Sequence, residues 1–298
     1  MRFKQGIVRL LKMTGLHTLQ ANVRFLARHD ISYLPFERVN PMLDVLKMEL
    51  DGSFPPITDA EETLDRLLES QASLSRFGDG EFLLLDGRPN LFQRADARLK
   101  QKLTDVLTTD NPSLFVGLPQ GLFAPAPETP EHVRHYGRSF LAFHRYAIFP
   151  FLQSGRRYDN ASVTLPGFHF SPSSMETYFE RFRSLWEGRH VVLIEGAGLS
   201  ANHSYSLFDK TEHLSIIDAP RRNAFDSYDE LMERALSFPD DVLFALCLGS
   251  TATVMAYDLT RAGRRALDLG HLPKAYDHFK RGLPFDDWAA GVRFFTED

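Results

Sequence analysis

Short apolar runs alternate with helical patterns through the C-terminal third of the chain, and this alternation limits the folds that the sequence can adopt. The runs are as short as buried strands usually are: His190–Ile194, Leu214–Ile217, Val242–Leu248 and Ala266–Leu269. Between them the spacing predicts helices over Tyr228–Leu236 and Thr251–Ala262. Because strands that are apolar throughout need cover on both faces, we expect an α/β fold. The predicted architecture is a Rossmann-like, mostly parallel sheet with helices on both faces.

The earlier part of the chain continues the alternation less regularly. Helices are predicted over residues 61–68, 96–107, 131–152 and 175–186, and strands over Leu74–Phe77, Leu114–Leu118 and Ala161–Leu165. Prolines at 35, 41, 55 and 56 predict a loop between about residues 30 and 58. The sequence therefore divides into an N-terminal basic helical arm and linker, residues 1–58, and a main domain, residues 59–298.

Basic side chains are concentrated at the N-terminus. Residues 1–30 contain Arg2, Lys4, Arg9, Lys12, Arg24 and Arg28 against the acid Asp30, in a chain of net charge −5. Apolar residues recur among them at partly helical spacing, which predicts one or two amphipathic helices. Such an arm could dock on an anionic membrane surface or on a partner that holds a lipid-linked acceptor. The alternative is packing on its own domain or on a second subunit. Nucleic-acid binding is not expected, because the rest of the chain is acidic.

The cysteine content and the hydropathy favour a cytoplasmic enzyme. The single cysteine, Cys247, lies inside an apolar run, so we expect a small buried side chain and no disulfide. No apolar run approaches the roughly 18–20 residues that span a bilayer, and no signal peptide is visible. The expected location is the cytoplasm, with peripheral contact to the inner face of the membrane if the arm binds lipid.

Two carboxylates flank a glycine directly after the predicted strand Leu74–Phe77. In this R-F-G-D-G-E stretch, Asp79 and Glu81 can converge on one cation only if the backbone turns sharply, and the glycines at 78 and 80 permit such a turn. Carboxylate oxygens favour a hard ion such as Mn²⁺ or Mg²⁺. Taken alone, the pair more often marks a solvated turn with two exposed acids. Arg76 precedes the turn and could pair with Asp79 or bind a phosphate.

A second polar turn follows the predicted strand Val242–Leu248. Gly249, Ser250 and Thr251 precede a well-formed helix, so that free backbone N–H groups and two hydroxyls would suit a phosphate. A plain N-cap without a ligand is the alternative. In parallel sheets, ligands bind at the carboxyl ends of the strands. Glu195, Gly196, Asn223 and His271 are expected near the same edge.

One further turn favours a different class of protein. Residues 196–201 read G-A-G-L-S-A, which satisfies G-x-G-x-x-A, and Asp218 lies 22 residues after Gly196. An acid at this distance binds the ribose hydroxyls in dinucleotide-binding folds. A Rossmann oxidoreductase that binds NAD(P) is therefore the second hypothesis. Residues 202–208 contain Asn, His, Ser and Tyr and make a poor helix start, which counts against it.

Five motifs occur in a fixed order along the chain. They are R-F-G-D-G-E-F (76–82), F-Q (92–93), P-x-x-N-A-F-x-x-Y (220–228), L-G-S-T-A-T-V-M-A-Y-D-L (248–259) and L-D-L-G-H (267–271). Together they resemble the GT-D fold glycosyltransferase family over about residues 60–282. The resemblance implies a metal-dependent transferase that moves a sugar from a nucleotide-sugar donor, expected to be a UDP-sugar, to a glycan acceptor. That acceptor would be lipid-linked or protein-linked, in surface polysaccharide or glycoprotein biosynthesis.

The resemblance also implies roles for single residues. Asp79 and Glu81 would hold Mn²⁺ or Mg²⁺ against the diphosphate, and a carboxylate or His271 would deprotonate the acceptor hydroxyl. The residues expected to bind the donor are Arg76, Gly78, Glu195, Gly196, Asn223, Gly249, Ser250 and Thr251. The chain departs from the family pattern at residues 165–167 and 198–203, where relatives carry basic residues. A third hypothesis is therefore a nucleotide-sugar-binding protein without transferase activity.

Overall fold

A computed structural model of the protein describes residues 45, 47–49, 51–125, 129, 131–153, 155–168, 172–283 and 294. The predicted N-terminal arm, residues 1–30, lies outside these described residues, as does most of the predicted linker. Within the described part, no helix is both long enough and apolar enough to cross a membrane.

A seven-stranded parallel sheet forms the centre of the described part. Its strands are β1 Ser73–Arg76, β2 Leu114–Leu118, β3 Asp159–Asn160, β4 His190–Gly196, β5 His213–Ala219, β6 Leu243–Cys247 and β7 Arg265–Asp268. They are ordered β3-β2-β1-β7-β6-β4-β5, and every pair is parallel. The predicted α/β class and its parallel sheet are confirmed.

Helices connect the strands and cover both faces of the sheet. They are α1 Ala60–Glu69, α2 Asp79–Leu85, α3 Ala97–Thr108, α4 Gln120–Phe123, α5 Glu131–Ile148, α6 Pro172–Arg183, α7 Tyr228–Leu236, α8 Ser250–Arg261 and α9 Leu272–Lys280. The buried side chains form two hydrophobic cores. One lies on each face of the sheet, because successive side chains of a strand point to opposite faces. In β4, Val192 and Ile194 pack in one buried cluster, and Val191 and Leu193 in the other.

The predicted strand Ala161–Leu165 is wrong. Residues Ala161–Thr164 form a 3₁₀ helix, and the strand is the shorter β3 that precedes it. The side chain of Asn160 accepts a hydrogen bond from the backbone N–H of Ser162 at 2.8 Å. This local bond turns the chain out of the extended conformation that the β-branched residues favour. The other helices and strands that were predicted within the described residues are present, with ends shifted by a few residues.

Candidate functional site

A cavity of about 280 Å³ opens where β4, β6 and β7 end. The end of β4 contributes Glu195 and Gly196, the turn after β6 contributes Gly249, and His271 follows β7. Further lining residues are Phe92, Gln93, Arg221, Lys274, Asp277, His278 and Arg281. The cavity thus lies at the carboxyl edge of the sheet, where ligands bind in parallel α/β proteins. Four of the residues predicted for the site line it directly.

The D-G-E stretch begins a helix and does not form the sharp turn that the sequence suggested. Asp79, Gly80 and Glu81 are the first residues of α2, and Gly78 is its N-cap in an extended conformation. Neither glycine uses the left-handed region. A Cβ atom at Gly80 would lie 3.0 Å from the Asn90 side-chain nitrogen, so close packing explains the absence of a side chain there.

The two carboxylates of α2 have different partners. Asp79 is exposed, and its Oδ2 accepts a hydrogen bond from the hydroxyl of Tyr136 at 2.7 Å. Glu81 turns back over the start of the helix, where its Oε2 accepts from the backbone N–H of Gly78 at 2.7 Å. Its Oε1 accepts from the hydroxyl of Ser250 at 2.5 Å. The acids lie at the positive end of the helix, where negative charge is favourable.

Ser250 joins the acidic helix to the cavity. It follows Gly249, whose φ of 53° and ψ of −139° suit only glycine. Besides donating to Glu81, the Ser250 hydroxyl accepts from the Asn90 side chain at 2.9 Å, and Asn90 also donates to the carbonyl of Gly80 at 3.2 Å. Glu81 is therefore hydrogen-bonded to the residue that follows Gly249 of the cavity wall, although α2 itself contributes no residue to that wall among those described.

The environment of Glu81 disfavours its negative charge. Burial raises the pKa of its carboxyl, and the nearby carboxylates of Asp268 and Asp79 raise it further. The hydrogen bonds from Ser250 and Gly78 lower the pKa and oppose this effect. Because desolvation and like charges both penalise the ionised form, a bound cation would relieve the same penalty.

Arg76 pairs with Asp268 and not with Asp79. Its Nη2 donates to Asp268 Oδ1 at 2.8 Å, and its Nε donates to the carbonyl of the same residue at 2.8 Å. The guanidinium lies against Gly270, where a Cβ atom would be 2.0 Å from Nη2. Arg76 therefore holds β1 and the turn after β7 together. Burial raises the pKa of Asp268, and Arg76 opposes that rise.

The turn after β4 is not followed by the helix that a dinucleotide site needs. Residues Ser200–Asn202 form only a short 3₁₀ helix, held by a hydrogen bond from the Ser200 N–H to Glu195 Oε1 at 2.9 Å. Asp218 Oδ1 accepts from the N–H of Gly198 at 3.3 Å. Pyrophosphate in dinucleotide folds lies at a helix N-terminus. The turn therefore lacks the feature on which the oxidoreductase hypothesis depends.

Two residues that were predicted to bind the donor have surroundings that the sequence did not indicate. Asn223 adopts the left-handed conformation, with a φ of 54°, and its Oδ1 accepts from the N–H of Arg94 at 2.8 Å. Thr251 is fully buried, and its hydroxyl has no hydrogen-bond partner among the described residues. Neither side chain lines the described cavity. Their predicted contacts with a ligand stay predictions.

His271 and α9 form the opposite wall of the cavity. His271 is the N-cap residue of α9, and its ring centroid lies 6.3 Å from that of Phe92. Lys274, His278 and Arg281 follow at helical spacing and line the same cavity. Asp277 fastens α9 to the loop after β4 by accepting from the N–H groups of Ser204 and Tyr205 at 2.7 and 3.0 Å. The 274–278–281 spacing after L-D-L-G-H was the signal that could have identified this cationic face.

Asp79 and Glu81 are the two carboxylates in the first turn of α2, and side chains two residues apart on a helix do not face each other. No group of three or more His, Cys, Asp or Glu side chains able to hold a metal is found among the described residues. Each oxygen of Asp79 and Glu81 accepts one hydrogen bond and keeps a lone pair. Mg²⁺ commonly binds through one or two carboxylates, with phosphate and water completing its shell. Each carboxylate can therefore supply a ligand to an ion that is shared with a diphosphate, and binding of one ion by both stays a prediction.

Comparisons with known proteins identify relatives over most of the chain. A family model described as "Glycosyltransferase GT-D fold" matches residues 74–286. A Streptococcus gordonii protein named "Probable glycosyl transferase Gly" is 27% identical over 83% of this chain and 37% of its own length. Glycosyltransferase GlyD of Streptococcus pneumoniae is 30% identical over 80% of this chain and 29% of its own length. The chain thus spans about a third of these curated relatives.

Solved structures share the fold. One, described as the highly conserved domain of unknown function 1792 with a distinct glycosyltransferase fold, is 26% identical with a TM-score of 0.72. The match covers 84% of this chain and 88% of the other. Another, described as a new glycosyltransferase from Streptococcus sanguinis, is 25% identical with a TM-score of 0.72. It covers 82% of this chain and 93% of its own.

Proposed function

The chain belongs to the family of glycosyltransferases with the GT-D fold, and we propose on this basis that it transfers a sugar from a UDP-sugar donor to a glycan acceptor in a metal-dependent reaction. The observation that carries the proposal is the hydrogen bond between Ser250 and Glu81. It connects the acidic start of α2 to the Gly249 turn at the cavity. A leaving diphosphate in the cavity would then end near the acidic start of α2, where Asp79 and Glu81 are proposed to share a cation with it.

The cavity has the side chains that a nucleotide diphosphate requires. Arg221 and Lys274 lie on its wall together with the turns at Gly196 and Gly249. Cationic side chains and backbone N–H groups stabilise the charge that develops on a departing diphosphate. Mn²⁺ or Mg²⁺, held by Asp79 and Glu81, would neutralise part of that charge.

The base for the acceptor hydroxyl is proposed to be His271 or a carboxylate of the same edge. His271 lines the cavity, and so does the buried Glu195 at the end of β4. A general base must come within hydrogen-bond reach of the proton that it removes. A glycan of surface polysaccharide or glycoprotein, linked to lipid or protein, is the proposed acceptor class.

Calorimetric titration of UDP with and without Mn²⁺ tests the donor and metal assignments. We expect UDP binding that requires Mn²⁺ in the wild type and is lost in Asp79→Asn and Glu81→Gln. Glu233→Gln is the matched control, because this exposed acid of α7 lies outside the cavity. Metal-dependent binding that is unchanged in both site variants would overturn the proposed metal ligands. NAD⁺ binding without UDP binding would favour the oxidoreductase.

Release of UDP from defined donors separates an enzyme from a binding protein. The purified chain is mixed with Mn²⁺ and, one at a time, UDP-glucose, UDP-galactose and UDP-N-acetylglucosamine. Slow hydrolysis of one donor, lost in Glu81→Gln, is the expected result. Tight UDP binding without hydrolysis or transfer of any donor would favour the non-catalytic hypothesis.

A further inference from the structure

Helix α5 exposes a row of aromatic side chains beside the acidic helix. Tyr136, Phe143 and Tyr146 are 47%, 62% and 78% exposed. Residues seven apart lie on nearly the same side of a helix, and position 146 follows within one turn of 143. Exposed aromatic residues grouped on one surface commonly mark a binding site.

The row begins at the candidate active site. The Tyr136 hydroxyl donates to Asp79 Oδ2 at 2.7 Å. From Asp79 the aromatic face extends along α5 for about 15 Å, since each helical residue adds about 1.5 Å. A ligand on this face would have one end beside Asp79.

Two contacts fix α5 on α2. The first is the Tyr136–Asp79 hydrogen bond at the start of α2. The second lies just beyond the end of α2, where His144 Nδ1 is 2.8 Å from Asp86 Oδ2. Between them, the buried ring of Phe140 lies 5.9 Å from Tyr136 and 4.6 Å from His144, measured between ring centroids. The exposed face is thus held at a set distance from the two carboxylates.

The chemistry of the face suits a carbohydrate. Its exposed large side chains are aromatic, and the flat C–H faces of pyranose rings stack on aromatic rings. Tyr136 and Tyr146 add hydroxyls, and Arg145 lies over Tyr146 with its Cζ 4.1 Å from the ring centroid. Arg145 Nη2 also donates to the Tyr146 hydroxyl at 3.0 Å. Hydroxyls and a guanidinium around an aromatic surface provide the polar contacts that orient a ligand rich in hydroxyl groups.

We infer that the Tyr136–Phe143–Tyr146 face of α5 binds the glycan acceptor and directs its reactive end toward Asp79. This inference rests on the proposed function, because it needs a donor site beside α2. It adds a place for the acceptor, which the cavity at the sheet edge does not supply. The glycan would lie along α5 as a short oligosaccharide, with one sugar at each exposed ring.

The test compares glycan binding by the wild type and by Phe143→Ala/Tyr146→Ala. Both side chains are exposed and lie outside the donor cavity, so we expect an unchanged fold and UDP affinity. The matched control is Leu214→Ala/Ile216→Ala, which removes two exposed apolar side chains from β5 at the far edge of the sheet. Each protein is applied to an array of bacterial oligosaccharides, with and without UDP and Mn²⁺.

We expect the α5 variant to lose about tenfold or more of the glycan signal of the wild type, while the β5 control keeps it. Phe143→Trp should retain binding, because it keeps an aromatic face. Equal glycan binding by the α5 variant and the wild type overturns the inference, as does a wild type that binds no glycan on the array. Binding of the wild type to vesicles with about one-third anionic lipid, lost in the α5 variant, would assign the face to a membrane instead.

UDP titrations on the same samples separate this inference from the proposed function. A wild type that binds glycans through α5 but does not bind UDP contradicts the donor assignment and leaves the glycan surface in place. If the wild type binds UDP with Mn²⁺ and the α5 variant binds glycans as well as the wild type does, the donor assignment is supported and the acceptor surface is overturned.

Discussion

Replacement of Ser250 by alanine is the most direct test of how the chain prepares Glu81. The Ser250 hydroxyl donates to Glu81 Oε1 at 2.5 Å, a hydrogen bond from a neutral donor to a carboxylate. Bonds of this kind contribute about 1.5–3 kcal/mol. The bond lowers the pKa of Glu81 against burial, which raises it. Without it, the ionised carboxylate is both less stable and less well oriented.

A loss of about 1.5–3 kcal/mol corresponds to a roughly 10- to 150-fold larger dissociation constant at 25 °C. Partners that orient a metal ligand typically change metal affinity by roughly 10- to 100-fold. We therefore expect UDP binding in the presence of Mn²⁺ to weaken by about 10- to 100-fold in Ser250→Ala. Because the pKa of Glu81 rises further in this variant, the defect should grow as the pH falls.

Calorimetric titrations of UDP at fixed Mn²⁺ and several pH values measure this effect. Thr260→Ala is the control, since it removes a hydroxyl bonded to the Ala256 carbonyl at 2.6 Å near the other end of the same helix. Thermal unfolding of both variants tests whether the fold is intact. UDP affinities of Ser250→Ala within twofold of the wild type at every pH would refute the reasoning.

Three further predictions concern stability and reactivity. Gly270→Ala should lower the free energy of unfolding, measured in urea, by roughly 2–5 kcal/mol, because residue 270 has a φ of 51° and the new Cβ would clash with Arg76. Gly263→Ala is the control: its φ is 77° but its Cβ would enter open space, so the loss should be only about 1 kcal/mol. Equal losses in the two variants would contradict the steric argument. Burial raises the pKa of Asp159 to about 6 from its ordinary 3.8 although Arg66 opposes the rise, so the folded state binds the proton more tightly than the unfolded state. The wild type should therefore lose about 3 kcal/mol relative to Asp159→Asn as the pH rises from about 3 to about 7, and a constant difference in urea unfolding would contradict this. Burial, with Glu195 nearby, raises the pKa of Cys247 well above 9.0, so iodoacetamide at pH 7.5 should label the native thiol slowly and the urea-unfolded thiol quickly; equal rates would be inconsistent with it.

Strands β4 and β6 were predictable from the sequence because their apolar side chains fill two buried faces at once, whereas the edge strand β5 leaves Leu214 and Ile216 exposed. The carboxyl ends of β4, β6 and β7 could therefore be assigned to one edge, and Glu195, Gly249 and His271 do line one cavity there. Long-range partners could not be predicted in this way. Arg76 precedes Asp79 in sequence, but its partner is Asp268, almost two hundred residues away.

The sequence interpretation was wrong at residues 78–81, where a tight turn and a helix start are both compatible with the same residues. Glycines on both sides of Asp79 suggested a turn, yet the Glu81 side chain bonds back to the Gly78 N–H and starts a helix. That bond depends on Ser250 and Asn90 to hold the carboxylate, and both arrive from other parts of the chain. The partner of Asp79, Tyr136, likewise comes from another part of the chain, helix α5.

The two glycine turns at the sheet edge suggest how a donor would be oriented. Gly249 is followed by α8, whose first turn carries the Ser250 link to Glu81. Gly196 is followed by a loop and not by a helix of this length. Asp277 holds this loop by accepting from the Ser204 N–H, and Arg221 Nε donates to the Ala197 carbonyl at 2.8 Å. A helix N-terminus and a shared cation both favour phosphate, whereas a loop with side chains from several elements favours a flat, polar ring. We therefore expect the diphosphate of the proposed donor beside Gly249 and its nucleoside beside Gly196, so that the transferred sugar lies toward α2 and the aromatic face of α5.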